Sequence, residues 1–114
     1  MQSVPHISPE TFRALNLSVD EDGFLINPNE WTSEIAEQMA EASGIDFLDD
    51  YHWEVIFYLR KKYFTLGAMA PMRLVCKKMH VDKETIKASF GSCHNLWQIA
   101  GLPNPGEEAI SYMN

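Results

Sequence analysis

Gly44-Ile45-Asp46-Phe47-Leu48-Asp49-Asp50-Tyr51-His52-Trp53-Glu54-Val55-Ile56-Phe57-Tyr58-Leu59-Arg60-Lys61-Lys62-Tyr63-Phe64 is the stretch whose reading decides the fold. Val55, Leu59 and Tyr63 recur every four residues, while Trp53, Ile56, Phe57 and Phe64 fill most of the remaining circumference. A helix apolar on so many faces predicts a central element buried on nearly all sides, with the rest of the chain packed around it. Its ends agree with its interior. Asp49 and Asp50 supply an N-cap and a first-turn acid, Arg60, Lys61 and Lys62 lie in the closing turns, and Gly67 offers a stop.

Working outward in both directions, the helical spacing repeats. Upstream, Asn27-Pro28-Asn29-Glu30 reads as an N-cap, a first-position proline and a glutamate able to complete a capping box. The helix it opens carries Trp31, Ile35 and Met39 on one edge of a buried face, Ala36 and Ala40 on the other, and Glu34, Glu37 and Glu41 toward water, ending at Gly44. Ahead of it, Leu17 and Val19 alternate with polar neighbours and Asp22-Gly23 is a turn signal, which predicts a short β-hairpin over 17–26. Ser8 to Leu15 fits a capped helical turn. Downstream, Met72 to Met79 predicts a third helix, and Asp82 caps a fourth that ends at Gly91. Ser92 to Gly101 predicts a fifth. Pro103 and Pro105 forbid continuation, so 102–114 is expected to be an extended arm. The fold class is therefore mostly α, a small orthogonal helical bundle with an N-terminal hairpin and a C-terminal arm, forming one domain over 1–114.

At 114 residues the chain can bury a single core. No apolar run approaches the about 20 residues of a bilayer span, the first residues do not read as a signal peptide, and Cys76 and Cys93 alone make no disulfide framework, so a cytoplasmic protein without membrane contact is expected. The net charge of −7 hides a polarity. Residues 1–54 hold twelve acids against Arg13, whereas residues 55–114 hold eight bases and four acids. All eight bases fall within 60–87, which predicts a positive face suited to an anionic partner.

Taken in order, Asp20-Glu21-Asp22-Gly23-Phe24-Leu25, Trp31, Gly44-Ile45, His52-Trp53-Glu54-Val55-Ile56, Leu59-Arg60, Arg73 and Ile99-Ala100-Gly101-Leu102-Pro103 with Pro105 resemble the DsrC/TusE family of sulfur-relay proteins, whose members include the gamma subunit of dissimilatory sulfite reductase. The resemblance implies a helical domain with a mobile C-terminal arm, no cofactor, no autonomous enzyme activity, and partners among sulfite reductase or the sulfurtransferase relay that makes tRNA 2-thiouridine. Family members carry sulfur on an arm cysteine, since an exposed thiolate on a tether can reach into a partner's site. Here the corresponding stretch Gly106-Glu107-Glu108-Ala109-Ile110-Ser111-Tyr112-Met113-Asn114 contains no cysteine, and Trp97 occupies the family's second cysteine position. A regulatory, partner-binding role is therefore expected, with His52, Arg60, Lys61, Lys62, Arg73, Lys77, Lys78 and Trp97 as contact residues.

Two other chemistries are open. Cys93 could replace the missing carrier, because Lys87, His94 and a helix start after Gly91 would each favour its thiolate. Thr85 to Leu102 also resembles the helix-turn-helix repeats found beside homing endonucleases, which implies DNA as an alternative partner, although His94 to Gly101 has no Lys or Arg to read base edges. Cys76, His80, Cys93 and His94 can be drawn as a zinc site, but adjacent ligands suit one tetrahedral ion poorly, and no metal site is expected.

Overall fold

The computed structural model describes Phe12, Ala14, residues 16–67 and residues 72–111. Its helices are α1 (Ser33–Ala42), α2 (Asp50–Leu66), α3 (Met72–Met79), α4 (Lys83–Phe90), α5 (Cys93–Ile99) and α6 (Glu107–Ser111). Helix α1 packs on α5, α2 on α3, α3 on α4 and α4 on α5, giving the expected mostly helical bundle. The helical turn expected at Ser8 to Leu15 lies outside the described residues except for Phe12, which is fully buried, and Ala14, which is exposed.

The caps explain where elements begin. Asp49 accepts from the His52 backbone N–H at 3.0 Å while the His52 ring accepts from the Asp49 N–H at 3.2 Å, a reciprocal capping box. Asp82 accepts from Thr85 N–H at 2.8 Å and opens α4. Asn27 caps only one 3-10 turn, Pro28–Glu30, and not the helix expected there. Trp31 then turns extended, and Thr32 caps α1 instead, accepting from Ile35 N–H at 3.2 Å. The interruption has a cause across the fold: an extended Trp31 sends its indole N–H to the Ile99 carbonyl, 2.9 Å away.

The hairpin expected over 17–26 reduces to one antiparallel bridge between Val19 and Leu25. Backbone bonds flank the bridge, from Asp20 N–H to the Phe24 carbonyl at 2.8 Å and from Ile26 N–H to the Ser18 carbonyl at 3.0 Å, and the Asp20 carboxylate accepts from both Asp22 and Phe24 N–H, at 2.9 and 3.0 Å, to close the turn.

Burial falls differently from the expectation. Val55, Ile56 and Leu59 of α2 are fully buried, but Phe57, Phe64 and Leu66 are 52%, 50% and 56% exposed. A chain this short lacks enough elements to surround its longest helix. The enclosed helix is α5, every residue of which is buried, polar Asn95 and Gln98 included. The expected extended arm is also folded where it is described: Leu102 is fully buried, and Ile110 of α6 packs against the core. Residues 112–114 lie outside the described residues.

Candidate functional site

Of the residues singled out from the sequence, Arg60 and Trp97 meet at the junction between α5 and the arm. Arg60 projects from α2 and donates from Nη1 to the Ala100 carbonyl at 2.7 Å and the Gly101 carbonyl at 3.4 Å, and from Nη2 to the Pro28 carbonyl at 3.1 Å. Its guanidinium lies 4.1 Å over the Trp31 ring and 5.2 Å from that of Phe64. A rigid planar fork of donors suits three carbonyls from two loops better than an ammonium would. Burial draws the Arg60 pKa below its ordinary value. Beneath Arg60 the chain turns at Gly101, whose φ of +70° and close approach to the Trp31 indole leave no room for a Cβ.

The arm is fastened twice more. Trp97 is buried, and its indole N–H donates to the Pro103 carbonyl at 2.8 Å. The Asn104 amide donates to Asp20 at 3.1 Å and to Asp22 at 2.8 Å, while its oxygen accepts from Gly106 N–H at 2.8 Å. Gln98 donates to the Asp22 carbonyl at 3.3 Å. The hairpin turn thus receives the root of the arm. Asn104 was not singled out from the sequence; its place between two prolines was the available signal.

His52 is also held inside. Its Nε2 donates to the Ser89 carbonyl at 2.9 Å, while Nδ1 lies 3.2 Å from the Asp49 backbone nitrogen and 2.9 Å from the Asp49 carboxylate. The ring sits edge-on to Phe90 with centroids 4.9 Å apart, tying α2 to α4. Arg60, His52 and Trp97 are therefore engaged within the fold. Lys61, Arg73, Lys77 and Lys78 are exposed. Lys62 is half-buried, with its Nζ 5.6 Å over the Tyr58 ring.

Cys93 begins α5 behind the Ser92 cap and is only 4% exposed. Burial pushes its thiol pKa up; Lys83 and Lys87 pull the other way and do not prevail. The expected activation is thus reversed, because desolvating a thiolate outweighs two lysines at a distance. Cys76 is half-buried. Among the described residues no three His, Cys, Asp or Glu side chains converge as metal ligands, so Cys76, His80, Cys93 and His94 do not form the zinc site that can be drawn on paper. His94 instead stacks on Phe24 with centroids 4.8 Å apart.

The helix-turn-helix reading is corrected by the same burial. Helices α4 and α5 do follow one another around Gly91, but α5 presents no exposed side chain to a groove.

Residues 11–107 match the protein family described as DsrC like protein. Among curated proteins, the chain is 31% identical over 101 residues to the sulfurtransferase TusE of Buchnera aphidicola, covering 79% of this chain and 86% of that protein. It is 31% identical over 98 residues to the gamma subunit of dissimilatory-type sulfite reductase from Nitratidesulfovibrio vulgaris, covering 83% and 92% respectively. Among solved structures, the oxidized gamma subunit of dissimilatory sulfite reductase from Archaeoglobus fulgidus matches with a TM-score of 0.70 at 33% identity, covering 80% of this chain and 90% of that one.

Proposed function

Because this chain belongs to the DsrC-like protein family, we propose that it works in sulfur metabolism as a partner-binding regulator and not as a persulfide carrier. Its partner is a sulfite reductase or a component of the 2-thiouridine sulfur relay, and it competes there with a cysteine-bearing relative. The observation that carries this reading is Cys93. Persulfide transfer needs a thiolate that can reach a second sulfur. Cys93 sits within a wholly buried helix with its pKa raised, and residues 102–114 contain no cysteine. The scaffold that would present an arm is kept, fastened through Arg60, Trp97 and Asn104. Lys61, Lys62, Arg73, Lys77 and Lys78 supply the cationic surface toward an anionic partner.

Two measurements test this. Intact-mass spectrometry after incubation with a small-molecule persulfide donor is expected to find no added sulfur on the native protein. Sulfur on wild type that is lost only in Cys93→Ala would establish a divergent carrier instead, with Cys76→Ala as the control. In a reconstituted relay containing a cysteine-bearing relative, added protein is expected to lower the transfer rate in proportion to its concentration. A rate indifferent to molar excess overturns the competitor role.

A further inference from the structure

The outer face of α2 carries four exposed residues at a regular interval: Glu54, Phe57, Lys61 and Phe64. Steps of three, four and three residues place them along one line of the helix, the spacing of a coiled-coil seam. Phe57 and Phe64 are 52% and 50% exposed. An exposed aromatic line of this kind on a packed scaffold is a contact surface without its contact. Phe57 is also held in place, stacked on Trp53 at 5.8 Å and meeting Trp31 edge-on at 5.9 Å. A ring fixed in advance loses little freedom on being covered.

The order of chemistry along this face says what covers it. Glu54, Phe57, Tyr58, Lys61, Lys62 and Lys78 line one shallow groove, and along α2 the acid comes first, the two rings next and Lys61 and Lys62 last. Reversing the helix direction exchanges Glu54 for Lys61 and leaves Phe57 and Tyr58 in the middle. We propose that this groove receives α2 of a second copy, antiparallel about a twofold axis beside Phe57 and Tyr58. With the axis there, position 54 of each copy meets position 61 of the other, giving two Glu54–Lys61 pairs around a central Phe57 contact. The acidic opening of α2, with Asp49 and Asp50, then lies toward the Lys61 and Lys62 end of its mate, and the two helix dipoles oppose favourably. A uniformly acidic partner would leave Glu54 facing like charge, whereas a second copy satisfies both ends. This pairing uses the Glu54–Lys61 edge of the cationic surface and requires no sulfur-metabolism partner, so it stands or falls separately from the proposed function.

Sedimentation equilibrium of the full chain from about 1 µM to about 1 mM tests it, over the range where weak helix-face contacts report. A concentration-dependent monomer–dimer equilibrium is expected for wild type. Glu54→Lys and Lys61→Glu each place like charges opposite twice per dimer and are expected to weaken association about tenfold or more. The double variant exchanges the partners and is expected to return to within about threefold of wild type. The two positions are seven residues apart on one helix, beyond the three- or four-residue spacing at which side chains meet, so restoration cannot arise within a monomer. Circular dichroism checks that each variant is folded. A monomer throughout, a dimer indifferent to either reversal, or a double variant no tighter than the single ones each overturns the proposal.

Discussion

Gly101→Ala concentrates the junction's design in one methyl group. At φ +70° an alanine pays the left-handed penalty of about 1 kcal/mol. The larger effect comes from its neighbour, because the added Cβ falls on the Trp31 indole and that ring must move. Moving it breaks the N–H bond to the Ile99 carbonyl, worth about 1 kcal/mol. It also removes the ring from under the half-buried Arg60 guanidinium, about a further 1 kcal/mol. The expected destabilisation is therefore about 3 kcal/mol in total, or a fall of about 2 M in the urea midpoint if the slope is near 1.5 kcal/mol/M. Urea titration followed by far-ultraviolet circular dichroism reads this without depending on tryptophan emission. The decisive comparison is the same substitution in a Trp31→Ala background, where only the backbone penalty of about 1 kcal/mol should remain, leaving a coupling of about 2 kcal/mol. Equal costs in the two backgrounds would refute the collision with Trp31 as the source.

Three further outcomes follow from the caps, the thiol and the arm. Asp49 and Asp82 have carboxyl pKa values lowered chiefly by the backbone N–H groups of His52 and Thr85, so their support is present above the ordinary 3.8 and is lost as pH falls through the lowered values. The fall in Tm caused by Asp82→Ala should thus be larger at pH 6 than at pH 2, and an equal fall at both would contradict the capping role. Because the folded pKa of Cys93 is raised above 9.0, its contribution is present below that value and is lost as pH rises through the higher one. The Tm gap between wild type and Cys93→Ala should narrow above pH 9, and a constant gap would show the thiol to be solvated. Asn104→Asp sets a third carboxylate against Asp20 and Asp22 and should raise amide exchange over 103–111 by about tenfold; unchanged exchange would show that this contact does not hold the arm.

Local chemistry was legible wherever one segment decides its own form. The Asp49 and Asp82 caps, the stop at Gly67 and the turn at Asp22-Gly23 all act within a few residues of themselves. What was not legible depended on distant partners. Trp31 reads as the first apolar position of a helix, yet it is extended because Ile99, 68 residues away, supplies an acceptor. The apolar circumference of α2 suggested an enclosed helix, since periodicity reports how many faces are apolar but not how many elements exist to cover them. Cys93 looked activated because sequence neighbours supply its charges, while its desolvation comes from the packing around α5.

Arg60, Trp31, His52 and Gly101 belong to the motifs that pointed to the family, and each is engaged with backbone of another element or closely packed against it. Arg60 reaches Ala100, Gly101 and Pro28; Trp31 reaches Ile99; His52 reaches Ser89; Gly101 lies under Trp31. None of these contacts involves sulfur. The family pattern in this chain is thus a pattern for seating the start of an arm on the bundle. A carrier needs that seat so its thiol can be offered from a fixed root, and a competitor needs the same seat to resemble the carrier at the partner's surface. Under the proposed competitor role the fastenings are needed whether or not sulfur is transferred, so each keeps a reason to persist. On this argument Arg60→Lys, which gives up the planar fork but keeps the charge, should weaken competition with a cysteine-bearing relative, whereas Cys93→Ala should leave it unchanged.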